Sequence, residues 1–367
     1  MLACFQDEML RLSWRGCMAT DYFHRLHRDT PTRFWVNNPS GADLEDALAA
    51  GAISCTTNPA YCAKLLASDR DYLHGVIDSV IREEIAEVEA AAVRVYQRAS
   101  KRILDRFLPL YEQSGGACGF VTMQDDPRLD QDAEATIRCA LENRRLGPNY
   151  MAKIPVIHGG ISALVACVEE NIPICATEIF AVSQAIHICQ LYERAAARTG
   201  NRPPFYVTHI SGIFDQYLGV VAKRDGIKIE RAVLDQAGCA IARKEYRLLQ
   251  TLGGRGILLG GGARGTHHFT EMVGGAVHVT INWSTAQEIM DADTPLVSRL
   301  AEGEPSPEAI AELREKFPDF RKAYDDDGLT VEEFADFGPV QFFRNAFLNG
   351  WYLLLAEVAA RRNVWAV

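Results

Sequence analysis

The chain has 367 residues, 48% of them hydrophobic and 23% charged, with a net charge of −10. That is globular composition, long enough for one large α/β barrel or two smaller domains, and the acidic balance argues against nucleic acid or an anionic membrane as the main partner. Ten cysteines fall without a CxxC pair, mostly among apolar neighbours, which suits buried thiols in a reducing cytoplasm better than a disulfide framework.

The opening stretch MLACFQDEMLRLSWRG places Asp7, Glu8 and Arg11 where a signal peptide needs an unbroken apolar core. No uncharged run reaches membrane-spanning length. Short β-like runs then alternate with helical patterns. RFWVN (33–37), AISCTT (52–57), CGFVTMQ (118–124), NYMAKIP (149–155), IPICATEIF (172–180), PFYVTHI (204–210), GILLGG (256–261) and VHVTIN (277–282) are the candidate strands. Stretches such as DLEDALAAG, DAEATIRCALENRRLG, GGISALVACVEEN and VSQAIHICQLYERAAART lie between them and carry helical periodicity.

Eight strands separated by helices predict a (β/α)8 TIM barrel over about residues 30–295, with additional N- and C-terminal helices. An open doubly wound sheet is the alternative, but no GxGxxG follows the first strand. Residues 70–112 read as a long charged helix pair and 211–255 as two more helices. The extension over about 296–367 is acidic and helical, and the aromatic stripe of its FFRNAFLNGWYLLLAEVAARRN segment is expected to pack on the barrel. Without internal repeats or a low-complexity linker, residues 1–367 are expected to form a single domain.

Reactive groups in such a barrel come from the carboxyl ends of the strands. Those ends offer Asn37 and Asn38, then Thr56, Thr57 and Asn58, then Gln124, Asp125 and Asp126. The fourth strand brings Lys153, the fifth Cys175, Thr177 and Glu178, the sixth Tyr206, Thr208 and His209, and the eighth Asn282. Lys153 stands inside an apolar run, where a buried ammonium is expensive and the neutral amine is a nucleophile able to form a Schiff base. His209, Tyr206, or a water held by Gln124 and Thr177, are candidates for the accompanying proton transfer. The plainer alternative is that Lys153 snorkels to the mouth and pairs with Asp125 or Glu178. Strict alternation points Glu178 away from the lumen.

After the seventh strand, LLGGGARGTHH combines close-approach glycines, a helix start and Arg264, a pattern suited to an anion or to a tight turn alone. His267 and His268 raise the question of a metal, but no ligand set at metal spacing accompanies them, and a Schiff-base lysine supplies its own electron sink, so neither metal nor organic cofactor is expected.

These residues resemble the transaldolase family of class I aldolases. The likeness runs through FWVNNPSGADLEDALAAGAISCTTNPAYCAKLL (34–66) and MQDDPRLDQDAEATIRCALENRRLGPNYMAKIPVIHGGISAL (123–164). It continues in IPICATEIFAVSQA (172–185), FYVTHISGIFD (205–215) and GILLGGGARGT (256–266). The resemblance implies a (β/α)8 barrel with Lys153 as the Schiff-base residue, acting on a sugar or sugar phosphate. It implies that Asn58 contacts a substrate hydroxyl and that Thr177 contacts a water or the imine; Thr56 is placed with the substrate-binding group.

The departures are as informative. Asn37 stands where the family has a proton-moving aspartate, and Gln124 where transaldolases carry a glutamate, as in the fructose-6-phosphate aldolase branch. Cys175 replaces a usual asparagine. Matching ISGIFD without gaps puts Gly212 on one phosphate-binding arginine, Gly262 on a serine two before the retained Arg264, and His209 in the site. Neutral Asn37 and Gln124 cannot accept a proton, so His209 is the expected shuttle and Tyr206 the second choice. The expected activity is transfer or cleavage of a dihydroxyacetone-type unit of a ketose or ketose phosphate. The competing class is a sugar- or sugar-phosphate-binding pseudoenzyme. The resemblance leaves a homo-oligomer open.

Overall fold

The computed structural model describes residues 22–252, 256–300, 303 and 305–365. The expectations for the opening stretch, including Cys4 and Cys17, lie outside the described residues. The eight apolar runs form β1 (Arg33–Asn37), β2 (Cys55–Thr56), β3 (Val121–Met123), β4 (Tyr150–Pro155), β5 (Ile174–Ile179), β6 (Phe205–Ile210), β7 (Ile257–Gly261) and β8 (His278–Ile281). All neighbours pair in parallel and in chain order, and β8 returns to β1 to close the barrel. Strands covered on both faces read as nearly continuous apolar runs, which is why they were visible. The second strand is shorter than its run, although Ile53 N still donates to Phe34 O and Cys55 N to Phe120 O.

Helices cover the outside, and two segments exceed a plain barrel connection, as the sequence implied. Arg70–Ile81 and Val88–Gln113 lie between β2 and β3, and Ser211–Asp225, Arg231–Leu234 and Ala237–Thr251 lie between β6 and β7. The lumen is filled at its lower level by Trp35, Ile53, Cys118, Phe120, Met151, Cys175, Tyr206 and Leu259. Trp35 Nε1 donates to His278 Nδ1 at 2.8 Å, so this dry floor leaves its indole partnered. Burial holds the His278 imidazole far below its usual value, neutral and able to accept that bond.

The acidic tail ends in one long helix, Gly338–Trp365. Its aromatic stripe packs on the barrel as expected: Phe343, Phe347, Trp351, Leu354 and Val358 are buried. Trp351 stands 6.0 Å edge-on from Tyr96, and Phe343 stands 6.0 Å from Phe180. Gly350 lets the helix lie close, since a Cβ there would fall 2.7 Å from Ala60 Cα. This helix roofs the end of the barrel at which the strand termini converge.

Candidate functional site

Above the floor lies a polar belt. Asn37 donates from Nδ2 to Asn282 Oδ1 at 2.9 Å and accepts from Thr56 Oγ1 at 2.9 Å, while Thr56 meets Thr280 at 2.6 Å. Across the lumen Cys175 Sγ lies 3.1 Å from Thr208 Oγ1. Asn58 accepts from Ala60 N at 3.0 Å, an Asx turn that shapes the loop after β2. Asn37 and Thr56 thus form one side of the mouth by bonding each other, and Cys175 belongs partly to the floor.

Lys153 is buried on β4, 7% exposed. Its Nζ donates to the Thr57 carbonyl at 3.3 Å rather than to a carboxylate, and lies 5.6 Å from the centre of the Phe347 ring on the roof helix. Burial lowers its pKa, with Cys175, Glu178 and Cys55 opposing that shift. The snorkelling alternative is not what the fold shows: the amine is held under an aromatic roof.

The alternation argument for Glu178 fails. Between Ala176 and Ile179 the register of β5 against β6 slips, and Glu178 adopts φ +59°. A bulge adds a residue and re-aims side chains, and a left-handed glutamate costs about 1–3 kcal/mol that the surroundings must offset. They do so through the fully buried Gln184, whose Nε2 donates to Glu178 O at 3.1 Å and Val156 O at 3.0 Å. Its Oε1 accepts from Phe180 N and Ala181 N. The bulge turns the Glu178 carboxylate to the lumen side, where Gln124 Nε2 donates to its Oε1 at 2.9 Å. Burial pushes the Glu178 carboxyl up to about 7, against the lowering effects of Gln124, Lys153 and Arg344. Thr177 Oγ1, Gln124 Oε1 and Glu178 Oε2 are buried acceptors without a partner among the described residues.

Asp130 adds another buried carboxyl, raised well above its ordinary value by burial and then by the charge of Glu178. Arg344 from the roof helix answers it: Nε lies 3.8 Å from Asp130 Oδ2, and another guanidinium nitrogen donates to Pro127 O at 3.0 Å. Asp130, Arg344 and Phe347 were absent from the sequence-derived site, and Glu178 was expected to face away from it.

Two expected participants sit elsewhere. His209 faces outward from β6: its Nδ1 N–H donates to Glu245 on the helix Ala237–Thr251 at 3.1 Å. Its neighbours Tyr206 and Thr208 take the lumenal direction, so alternation itself sends His209 to the helix layer. Tyr206 lies in the floor, 4.9 Å from the Trp35 ring and 5.1 Å from His278, and burial pushes its hydroxyl pKa far upward. Neither is placed to move a proton beside Lys153.

The β7 loop is rebuilt around its glycines. Gly262 has φ +67°, and a Cβ would meet Ile210 Cγ2 at 2.5 Å. At Gly212 a Cβ would lie 2.6 Å from both Arg264 N and Gly262 O, so loop backbone occupies the space through which a side chain would leave. Arg264 is exposed and its Nε donates to Gln216 Oε1 at 2.7 Å. The loop also brings His267 and His268 against Asp215, the third member that spacing along the chain did not reveal.

A closed barrel with one lysine buried at the carboxyl end of β4 defines a lysine-centred (β/α)8 protein. The chain belongs to the transaldolase/fructose-6-phosphate aldolase family, whose model matches residues 35–337. It is similar to the transaldolase of Mycobacterium ulcerans (strain Agy99), 29% identical over 210 residues, and to that of Kocuria rhizophila, 28% identical over 217 residues. Each match covers 54% of this chain and 55% of the relative, so the chain spans about half the length of the relatives it matches. A likeness to the methanol:cobalamin methyltransferase complex MtaBC from Methanosarcina barkeri covers 76% of this chain and 78% of that one, but a TM-score of 0.32 at 10% identity carries no argument. Among the described residues, no helix is long and apolar enough to cross a membrane.

Proposed function

We propose that the protein forms a Schiff base through Lys153 and transfers or cleaves a dihydroxyacetone-type unit of a ketose, with Glu178 handling the proton. The observation that supports this most is the pairing of a buried lysine, free of a carboxylate bond, with a carboxyl raised to about 7 that Gln124 holds on the lumen side. Amines and carboxyls displaced toward neutrality in one recess are characteristic of acid–base sites.

In this reading the neutral Lys153 amine adds to the ketose carbonyl, and loss of water gives an iminium. Glu178 takes the proton of the hydroxyl two carbons from that iminium carbon. The C–C bond joining that hydroxyl's carbon to the carbon next to the iminium breaks, an aldehyde leaves, and the bond's electron pair passes into the enamine on Lys153. With an acceptor aldehyde the steps reverse and Glu178 returns the proton. Without one, protonation of the enamine and hydrolysis complete an aldol cleavage. Thr177 Oγ1 and Gln124 Oε1 offer acceptors for the substrate hydroxyls or the water released. Gln124 is thus less a fructose-6-phosphate aldolase hallmark than half of an exchange: the carboxylate moves from strand three to strand five and the amide holds it.

The substrate's far end is proposed to be met by Arg264 without a second guanidinium, which favours a small or singly charged anionic group. We further propose one domain over residues 1–367 and, from eight described cysteines that are all free, a reducing cytoplasmic setting. Incubation with fructose 6-phosphate, sedoheptulose 7-phosphate or dihydroxyacetone, followed by borohydride reduction and peptide mapping, tests the reading. A stable adduct on Lys153 supports it; sugar binding without any adduct favours the pseudoenzyme.

A further inference from the structure

We propose that Asp215, His267 and His268 bind one divalent transition-metal ion, with zinc as the best match to two imidazoles and a carboxylate. The three donors come from different elements. Asp215 lies in the first turns of the helix Ser211–Asp225, while the histidines open the short turn His267–Thr270 after the β7 loop. Asp215 Oδ2 is 3.0 Å from His268 Nε2 and 3.9 Å from His267 Nε2, and the donor atoms all lie within 4.8 Å of one another. Donors about 2.0–2.1 Å from a shared zinc ion stand roughly 3–4 Å apart, so these separations need little adjustment.

A buried Asp–His hydrogen bond alone would explain Asp215 and His268. It does not explain His267. Its ring lies against His268 at a tilt of 40° with centroids 3.8 Å apart, and its buried Nε2 has no hydrogen-bond partner among the described residues while standing 3.9 Å from the same carboxylate oxygen. The surroundings also hold the donors as metal sites do. Asp215 Oδ1 accepts from Gly238 N at 2.7 Å, which leaves Oδ2 for the ion. His268 Nδ1 accepts from Arg264 N at 3.3 Å and lies 3.3 Å from Gly265 O, so binding an ion through Nε2 would move the ring proton to Nδ1, where Gly265 O accepts it. A cavity lined by Gln236, Cys239, Arg243, Glu271 and His267 adjoins the cluster and leaves room for a water ligand.

The ion would act as a staple. It would tie the helix that begins at Ser211 to the loop carrying Arg264, whose own N lies 3.3 Å from His268 Nδ1. The site stands whether or not Lys153 is catalytic.

The test uses the full chain, stripped with a chelator and checked by elemental analysis. Zinc is titrated in competition with a chromophoric chelator, and cobalt(II) is followed by its visible spectrum. One equivalent of zinc should bind and raise the melting temperature, and cobalt should give nitrogen- and oxygen-ligand bands without a thiolate charge-transfer band. His267→Asn, at a partly exposed position, should weaken binding by about tenfold or more and abolish the thermal shift. No stoichiometric binding, a thiolate band, or unchanged affinity in His267→Asn would each overturn the proposal. If that variant does not fold, the wild-type cobalt spectrum decides between histidine–carboxylate and cysteine ligation.

Discussion

The two sides of the barrel mouth are built in opposite ways. On the β3–β5 side, polar groups accumulate under a roof: Lys153, Gln124, Glu178 and Asp130 are buried, and Arg344 and Phe347 reach them from the helix Gly338–Trp365. On the β6–β7 side, backbone fills the space or side chains turn away: Gly212 is packed against the loop, Gly262 against Ile210, and His209 points to Glu245 outside the lumen. In the proposed function, the groups that break a bond and the grip on a distant anion therefore sit on separate sides of the mouth. The first is dense in buried charged and polar groups, and the second is lined by loop backbone.

The sharpest way to break that comparison is Lys153→Met. Turnover and adduct formation should fall on the order of 10⁴-fold or more, as expected for loss of a covalent nucleophile. Stability should hold or rise, because an amine that bonds only a backbone carbonyl is replaced by an apolar chain of similar length. A denaturation curve beside an activity assay checks both.

Glu178→Gln should lower kcat by roughly 10²–10⁴-fold while leaving the Lys153 adduct able to form. It also carries a pH signature. Burial raises the Glu178 carboxyl from its ordinary 4.5 to about 7, so its contribution to stability is complete below about 4.5 and is lost as pH rises through about 7. The variant lacks that decline, so melting temperatures measured across this window should shift progressively in its favour. A constant difference between the two proteins would remove Glu178 from the proton-handling role.

Gly212→Arg asks whether the poorer side can be restored. The first atom of the new side chain would fall 2.6 Å from loop backbone, so we expect a loss of about 2–4 kcal/mol and no tighter binding of phosphate-bearing ketoses. The smallest effect belongs to Arg264→Gln. It should raise KM for a phosphorylated ketose by about tenfold, near the value of one charged hydrogen bond, with kcat little changed. Equal KM values for the variant and the parent would place the anion elsewhere.

The barrel was legible because buried parallel strands must be apolar on both faces, and Lys153 was legible because a lysine inside such a run has no ordinary reason to be there. Glu178 was not, since a one-residue bulge reverses inside and outside and leaves no mark in a period-two reading. His209 was misplaced for a different reason: gap-free matching put it in the site, whereas the directions of Tyr206 and Thr208 already required it to face out. Asp215 stands far along the chain from His267, so only folding could show them as neighbours. Phe347 and Arg344 were correctly expected to lie on a packing helix, but which end of the barrel that helix covered is tertiary information.

The roof also fixes an order of assembly. The last strand ends at Ile281 and the helix that shelters Lys153 begins at Gly338, so on a growing chain the cylinder can close well before its cover is made. Until that cover docks, the lysine stands open to water, where an amine regains its proton and a carbinolamine reverts. In the proposed function, competence therefore waits on the docking of this helix. A chain cut short after the eighth strand would lose the shelter over that amine together with the buried Phe343, Phe347, Trp351, Leu354 and Val358.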